Sequence, residues 1–290
     1  MTGDLAEARA HFDRAIGLYD PVERAPAGTV FGFDYRVVSL AHRSGVLWEL
    51  GFPESALADA ERAVRDAREV GYALTLMNAL TQVAWTHIVR RDYAAAKALL
   101  AELVSLADEK GAPLLKAAGV LDRSFVSAMT KEGADNVGMI ASAWDAWLST
   151  GSTFFAPTQR SYLAMAYADI GQFDDARRCM DQAIAAAENT KERWFEPEVH
   201  RIAGEIELLS PERDVATAEG HFQRALEIAR AQQTRSWELR AATSLARLWR
   251  DQAKHQEAHD LLAPVYAWFT EGFDTPDLKE AKALLDELAS

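Results

Sequence analysis

Two histidines four residues apart, His255 and His259, with Glu257 between them, come closest to a metal site in this chain. Histidines at i and i+4 share a helix face and can hold a zinc ion. A zinc protease helix carries its glutamate directly after the first histidine; here that place holds Gln256, and no third ligand is evident. The expectation is a packed turn residue and a surface histidine, with no metal and no cofactor. Cys179 sits beside Met180, and the charges of Arg177 and Arg178 would favour its thiolate. A thiol in a helical phrase is more readily a small buried hydrophobe. Eight tryptophans invite a ligand cage. Trp144, Trp147, Trp237, Trp249 and Trp268, however, recur at helical spacing with other apolar residues, as core side chains do. No polar constellation of the kind a catalyst needs emerges, so the chain reads as no enzyme.

The elements that carry these residues repeat. GDLAEARAHFDRA starts at Gly3, GFPESALADAERA at Gly51, RDYAAAKALLAEL at Arg91, GADNVGMIASAWD at Gly133 and GQFDDARRCMDQA at Gly171. Looser copies, VATAEGHFQRA and AKHQEAHDLLAPV, start at Val215 and Ala253. The small residues Ala8, Ala56, Ala96, Gly138, Ala176, Ala218 and Ala258 are spaced by 48, 40, 42, 38, 42 and 40. A large residue four places on (Phe12, Leu100, Met180, Phe222, Leu262) and often a small one three further (Ala15, Ala63, Ala183, Ala225) share that helix face. Small residues let a neighbouring helix approach, and the large one fills the gap. Each phrase is thus the second helix of a hairpin, with the preceding glycine at the end of the first helix. First helices are expected over residues 34–50, 74–89, 113–130, 157–170, 195–209 and 236–252, several with a small packing residue (Ala84, Ala164, Gly204, Ala246). No period-2 stretch argues for a strand.

The fold class is therefore all-α: one array of antiparallel hairpins over residues 1–290, with about 40 residues per repeat. It divides into a half repeat (1–20), hairpins at 34–71, 74–111, 113–151, 157–190, 195–233 and 236–270, and a capping helix at 275–289. Thr275-Pro276 starts that cap, with Leu278, Ala281, Leu284, Leu285 and Leu288 on one side and Lys279, Glu280, Lys282, Asp286 and Glu287 on the other. The connector at 21–33 is a Pro- and Gly-containing loop. The first phrase lacks its first helix, so Met1 is expected to fall inside a longer array, and the bare N-terminal edge to pair with a second copy of the chain.

With 49% apolar and 26% charged residues the chain has the means to form a core and stay soluble. A net charge of −13 disfavours phosphate backbones and anionic membranes as partners. The N-terminal MTGDLAEARAHF has neither the basic nor the apolar region of a signal peptide. One cysteine permits no intramolecular disulfide, and the cytoplasm is the natural compartment.

The tail from Ser236 to Ala289, SWELRAATSLARLWRDQAKHQEAHDLLAPVYAWFTEGFDTPDLKEAKALLDELA, resembles the end of a bacterial family. Its members carry a tetratricopeptide array behind a signal-transduction ATPase module, many with a class III adenylate or guanylate cyclase domain in front. Others are similar to regulators of the maltose-activator type. The opening GDLAEARAHFDRAIGLYDP resembles an internal hairpin of the same array. Neither a phosphate loop ending in Gly-Lys-Ser or Gly-Lys-Thr nor a paired-aspartate cyclase site is present. What the resemblance implies is a right-handed superhelical solenoid with a regulatory or scaffolding role.

In such a superhelix the first helices line the concave face. That geometry implies a groove lined by Trp48, Asn78, Thr81, Trp85, Arg123, Ser127, Lys131, Arg201, Glu205, Arg240, Arg247 and Arg250. The late arginines would suit an acidic peptide terminus or a phosphorylated ligand; the plainer reading pairs them along the helix with residues such as Glu238. The expected partner is a protein, a peptide or an upstream domain of the same polypeptide. A small-molecule sensor is the alternative, and it requires an enclosed pocket in place of an open groove.

Overall fold

A computed structural model describes residues 4–19, 32–132 and 135–289, and these residues form fourteen α-helices and no strand. Gly3, Gly133 and nearly all of the 21–33 connector lie outside the described residues. Helix α1 (Leu5–Gly17) is followed by six hairpins. They are α2 (Tyr35–Glu49) with α3 (Pro53–Val70), α4 (Ala73–Val89) with α5 (Tyr93–Glu109), and α6 (Pro113–Thr130) with α7 (Asn136–Leu148). Then come α8 (Ala156–Asp169) with α9 (Phe173–Thr190), α10 (Glu196–Leu209) with α11 (Val215–Gln232), and α12 (Arg235–Asp251) with α13 (His255–Ala267). Helix α14 (Pro276–Leu288) ends the array.

Local chemistry sets the helix starts. Asp4, Asp34, Asp92, Asp135 and Asp214 each accept a hydrogen bond from a backbone N–H two or three residues on. That satisfies donors which have no partner inside the helix. Proline fills the first turn of α3, α6, α8, α10 and α14, where its missing N–H costs nothing. The turns inside the hairpins pass through the left-handed region at Gly51, Arg91, Lys131, Gly171 and Ala253. The repeat phrase carries glycine at Gly51 and Gly171, whereas its copies at Arg91 and Ala253 begin on another residue. Three of these five turns use another residue at a cost of roughly 1–2 kcal/mol each, set against the packing on either side.

The small residues do the packing the spacing implied. Ala56, Ala96, Ala176, Ala218 and Ala258 are fully buried, as are Ala84, Ala164 and Ala246 on the facing first helices. Gly204 of α10 lies so close to α11 that a Cβ there would stand 2.5 Å from the Phe222 ring. Ala8 and Gly138 are half-buried.

The array turns far enough to meet itself. Trp48, at the end of α2, packs edge-on against Trp237 of α12 with ring centroids 4.7 Å apart. Ser236 Oγ, 188 residues further along the chain, donates to the Trp48 carbonyl. Gly51 has φ +91°, and a Cβ there would stand 2.5 Å from the Trp268 ring, so both the turn and the close approach require glycine. Helix α3 has no capping side chain of its own. Glu271 supplies one, accepting from Glu54 N and Ser55 N at 2.9 Å each, while Gly272 N donates to Glu54 Oε1 at 2.8 Å. The last hairpin and its following loop thus close against the first.

Candidate functional site

The closed array places its first helices around a shared interior. Rings from five of them and from the loop before α10 form a continuous chain. Trp85 of α4 meets Trp194 and Phe195 at 5.4 and 6.1 Å. Phe195 reaches Trp237 at 5.4 Å and Tyr162 of α8 at 6.2 Å. Tyr162 stacks on Phe125 of α6 at 4.5 Å. Edge-to-face and offset pairs of this kind add roughly 0.5–1.5 kcal/mol each beyond their buried area. Of the two tryptophans singled out as groove residues, Trp85 is half-buried and open to a cavity, while Trp48 is only 2% exposed. Trp48 is covered by Trp237 and by the Arg240 guanidinium, 5.0 Å from its ring centroid.

Arg91, Arg201, Arg240 and Arg247 line a second cavity of about 300 Å³, and Arg250 is not among its walls. Each has a carboxylate. Arg201 pairs with Glu198 at 2.7 Å and with Glu205 at 3.1 Å, and Glu205 also accepts from Ser244 Oγ at 2.6 Å. Arg240 pairs with Asp277 at 2.8 Å and donates to the Val89 carbonyl. Arg247 pairs with Glu280 at 3.1 Å, and Arg250 with Glu287 at 2.7 Å. Arg91, from the α4–α5 turn, shares Glu280 at 2.7 Å. These carboxylates hold the guanidinium pKa values of Arg201 and Arg240 above the usual, against the opposing effect of burial. Three of the acids, Asp277, Glu280 and Glu287, sit on α14, and the last two belong to the polar side that the sequence gives this cap. Glu238, expected as an arginine partner, pairs with Arg230 and Arg235 at 2.8 and 2.6 Å.

The other cavity, about 360 Å³, lies between α1, α2, α4 and α6. Its walls are mainly apolar and aromatic, including Phe12, Leu121, Trp147 and Phe155. Two acids enter it that the sequence reading did not single out, Glu49 of α2 and Asp122 of α6. Burial pushes Glu49 up to about 8 and Asp122 up to about 7. The signal for them was present: each stands inside an apolar run, VLWEL and GVLDRSF, one turn from another inner-face residue.

Of the remaining candidates, Thr81 alone borders either cavity. Asn78 is half-buried, and its Oδ1 lacks a hydrogen-bond partner. Thr81 donates to the Met77 carbonyl at 2.8 Å and borders the 360 Å³ cavity. Ser127 donates to Asn136 Oδ1 at 3.2 Å, Arg123 is exposed, and Lys131 pairs with Asp169 at 2.7 Å. His255 is exposed at the start of α13, and His259 Nδ1 lies 3.6 Å from Asp260. Cys179 is buried, which pushes its thiol pKa up. A histidine pair the spacing did not reveal, His200 and His221, brings two Nδ1 atoms to 3.4 Å across α10 and α11, where burial holds His200 down at about 4. No helix among the described residues is long and apolar enough to cross a membrane.

Residues 158–190, nearly the whole of the α8–α9 hairpin, match the tetratricopeptide repeat family. No curated protein matches the chain in sequence. Among solved structures, the chain is similar to a Rap protein complexed with competence and sporulation factor. The TM-score is 0.66 at 13% identity, over 98% of this chain and 87% of that one. It is similar to the apo form of RapI, with a TM-score of 0.58 at 12% identity over 97% and 91%. BtubC from P. vanneervenii follows at 0.50 and 17% identity, over 82% and 89%. The fold is a tetratricopeptide-like helical solenoid.

Proposed function

We propose that this chain is a non-catalytic regulatory scaffold that holds a protein or peptide segment against the inner face of its array. It would signal occupancy to a neighbouring module, of the ATPase or cyclase kind found beside the arrays its tail resembles, in a bacterial cytoplasm. One observation carries this reading: the six first helices direct aromatic and arginine side chains into one interior, where α14 adds Asp277 and Glu280. The Rap protein of like fold, complexed with competence and sporulation factor, supports it. The row Arg201, Arg240, Arg247 and Arg250 already carries acidic side chains, and an acidic segment of a partner would take the place of those on α14. Trp85, Asn78 and Arg123 extend the face toward the N-terminal hairpins, and Trp48 supports it from beneath. Replacing Trp85 and Arg247 together with alanine should abolish retention of a partner in a pull-down and leave the circular dichroism spectrum intact; unchanged retention contradicts the reading. At the opposite edge, Leu18 stands 73% exposed after α1. We assign self-association to that edge, and a strictly monomeric light-scattering mass at high concentration would contradict it.

A second reading is favoured by the cavity between α1, α2, α4 and α6, because about 360 Å³ is the size of a small-molecule site. Under this reading the array is a metabolite sensor.

A further inference from the structure

The cavity between α1, α2, α4 and α6 has walls that suit an apolar body and a polar inventory of one sign. Glu49 is 7% exposed, and its Oε2 has no hydrogen-bond partner. Buried polar atoms in folded proteins almost always have a partner, because lost hydration is otherwise uncompensated. Asp122 borders the same space from α6, and among the described residues no lysine or arginine lines it. The titratable groups facing the cavity are Asp4, His42, Glu49 and Asp122. Asp4 is engaged in capping α1 at Glu7 N. His42 places Nδ1 2.9 Å from the Val38 carbonyl, and burial lowers its pKa, so it is a neutral ring whose Nδ1–H donates to that carbonyl. Among the described residues every other charge lining the site is negative; the charge of the chain's own N-terminus draws the Glu49 carboxyl down, against the larger effect of burial. The remaining wall is largely aromatic, with Phe12, Trp85, Trp147, Phe155 and Trp194, and the faces of such rings attract cations.

We propose that this cavity binds a small organic amine, its ammonium group held by Glu49 and Asp122 and its apolar body lodged among Trp85, Trp147 and Trp194. This deepens the metabolite-sensor reading and rests on it. An ammonium supplies the donor that Glu49 Oε2 lacks. A carboxylate ligand of the same shape meets two acids and no described lysine or arginine, and a neutral isostere leaves the acids unpaired. Burial makes both acids hold protons more tightly than usual. An entering ammonium favours their ionised forms, so binding releases protons and strengthens as pH rises through about 7 to about 8.

Isothermal titration of the full chain with phenethylamine, tryptamine and phenylacetate tests this, run in two buffers of unlike ionisation heat. The expected result is binding of both amines with proton release, and none of phenylacetate. Glu49→Gln should weaken the amines about tenfold or more and reduce the proton release. Asp122→Asn should act in the same direction, which keeps the test valid should one variant fold poorly. Equal amine affinity in wild type and both variants overturns the proposal, as does phenylacetate binding as well as phenethylamine. A capped lysine tripeptide that binds more tightly than either amine also overturns it, by making a peptide side chain the occupant. In a parallel thermal-shift screen, an uncharged or anionic metabolite that stabilises wild type but not Trp85→Ala overturns the amine and leaves the sensor reading standing. Silence across the screen and the titration overturns both.

Discussion

Glu49 shows how one residue ties interior chemistry to stability. Its carboxyl has an ordinary value of 4.5 and is pushed up to about 8 by burial. Between those values the folded chain holds a proton that the unfolded chain has released. Stability from this group is therefore complete below pH 4.5 and declines as pH rises through about 8. Asp122, raised from 3.8 to about 7, works in the same direction. In urea titrations across that range, Glu49→Gln should flatten the decline and raise the midpoint at the alkaline end. A midpoint that falls in parallel with wild type would show that the carboxyl is not buried as described. The sequence exposed this residue only as an acid inside an apolar run. Its burial depends on Trp85, Trp147 and Phe155 arriving from other repeats, and no local pattern carries that information. Trp48 was legible as an inner-face residue from its place on a first helix, but not as one that Trp237 would cover.

At the scale of elements, the first helices emerge within one residue of the spans their periodicity implies, because aspartate caps, first-turn prolines and small-residue stripes are all local signals. Turns and caps that depend on distant residues were not legible. Helix α3 opens on Phe52 without a side-chain cap, and Glu271 fills that role from across the closure. A carboxylate over the first turn also meets the positive end of the helix dipole. Glu271→Ala should lower stability by about 1 kcal/mol, the usual worth of an N-cap, read as a shift in the denaturant midpoint with unchanged slope. A neutral effect would mean that α3 is capped by solvent. Helix α14 was legible as an amphipathic cap. Its polar side could not be assigned to the arginines of α12, because that pairing depends on how the last hairpin folds back over the array.

Across the whole molecule, the repeat phrase specifies a solenoid but not how far it turns. Each hairpin contributes a small rotation, and the sum over six decides whether the ends meet. Here they meet through Trp48, Gly51 and Glu54 on one side and Trp237, Trp268 and Glu271 on the other. Beside that closure lie two cavities, one with paired arginines and walls from α12 and α14, the other with Glu49 and Asp122 on α2 and α6. The most direct test is a double-mutant cycle on Trp48 and Trp237, each replaced by leucine, followed by chemical denaturation. Rings in edge-on contact should give a coupling energy of about 0.5–1.5 kcal/mol. Destabilisations that add to within about 0.3 kcal/mol would mean that the two ends of the array do not touch, and would contradict the closed interior.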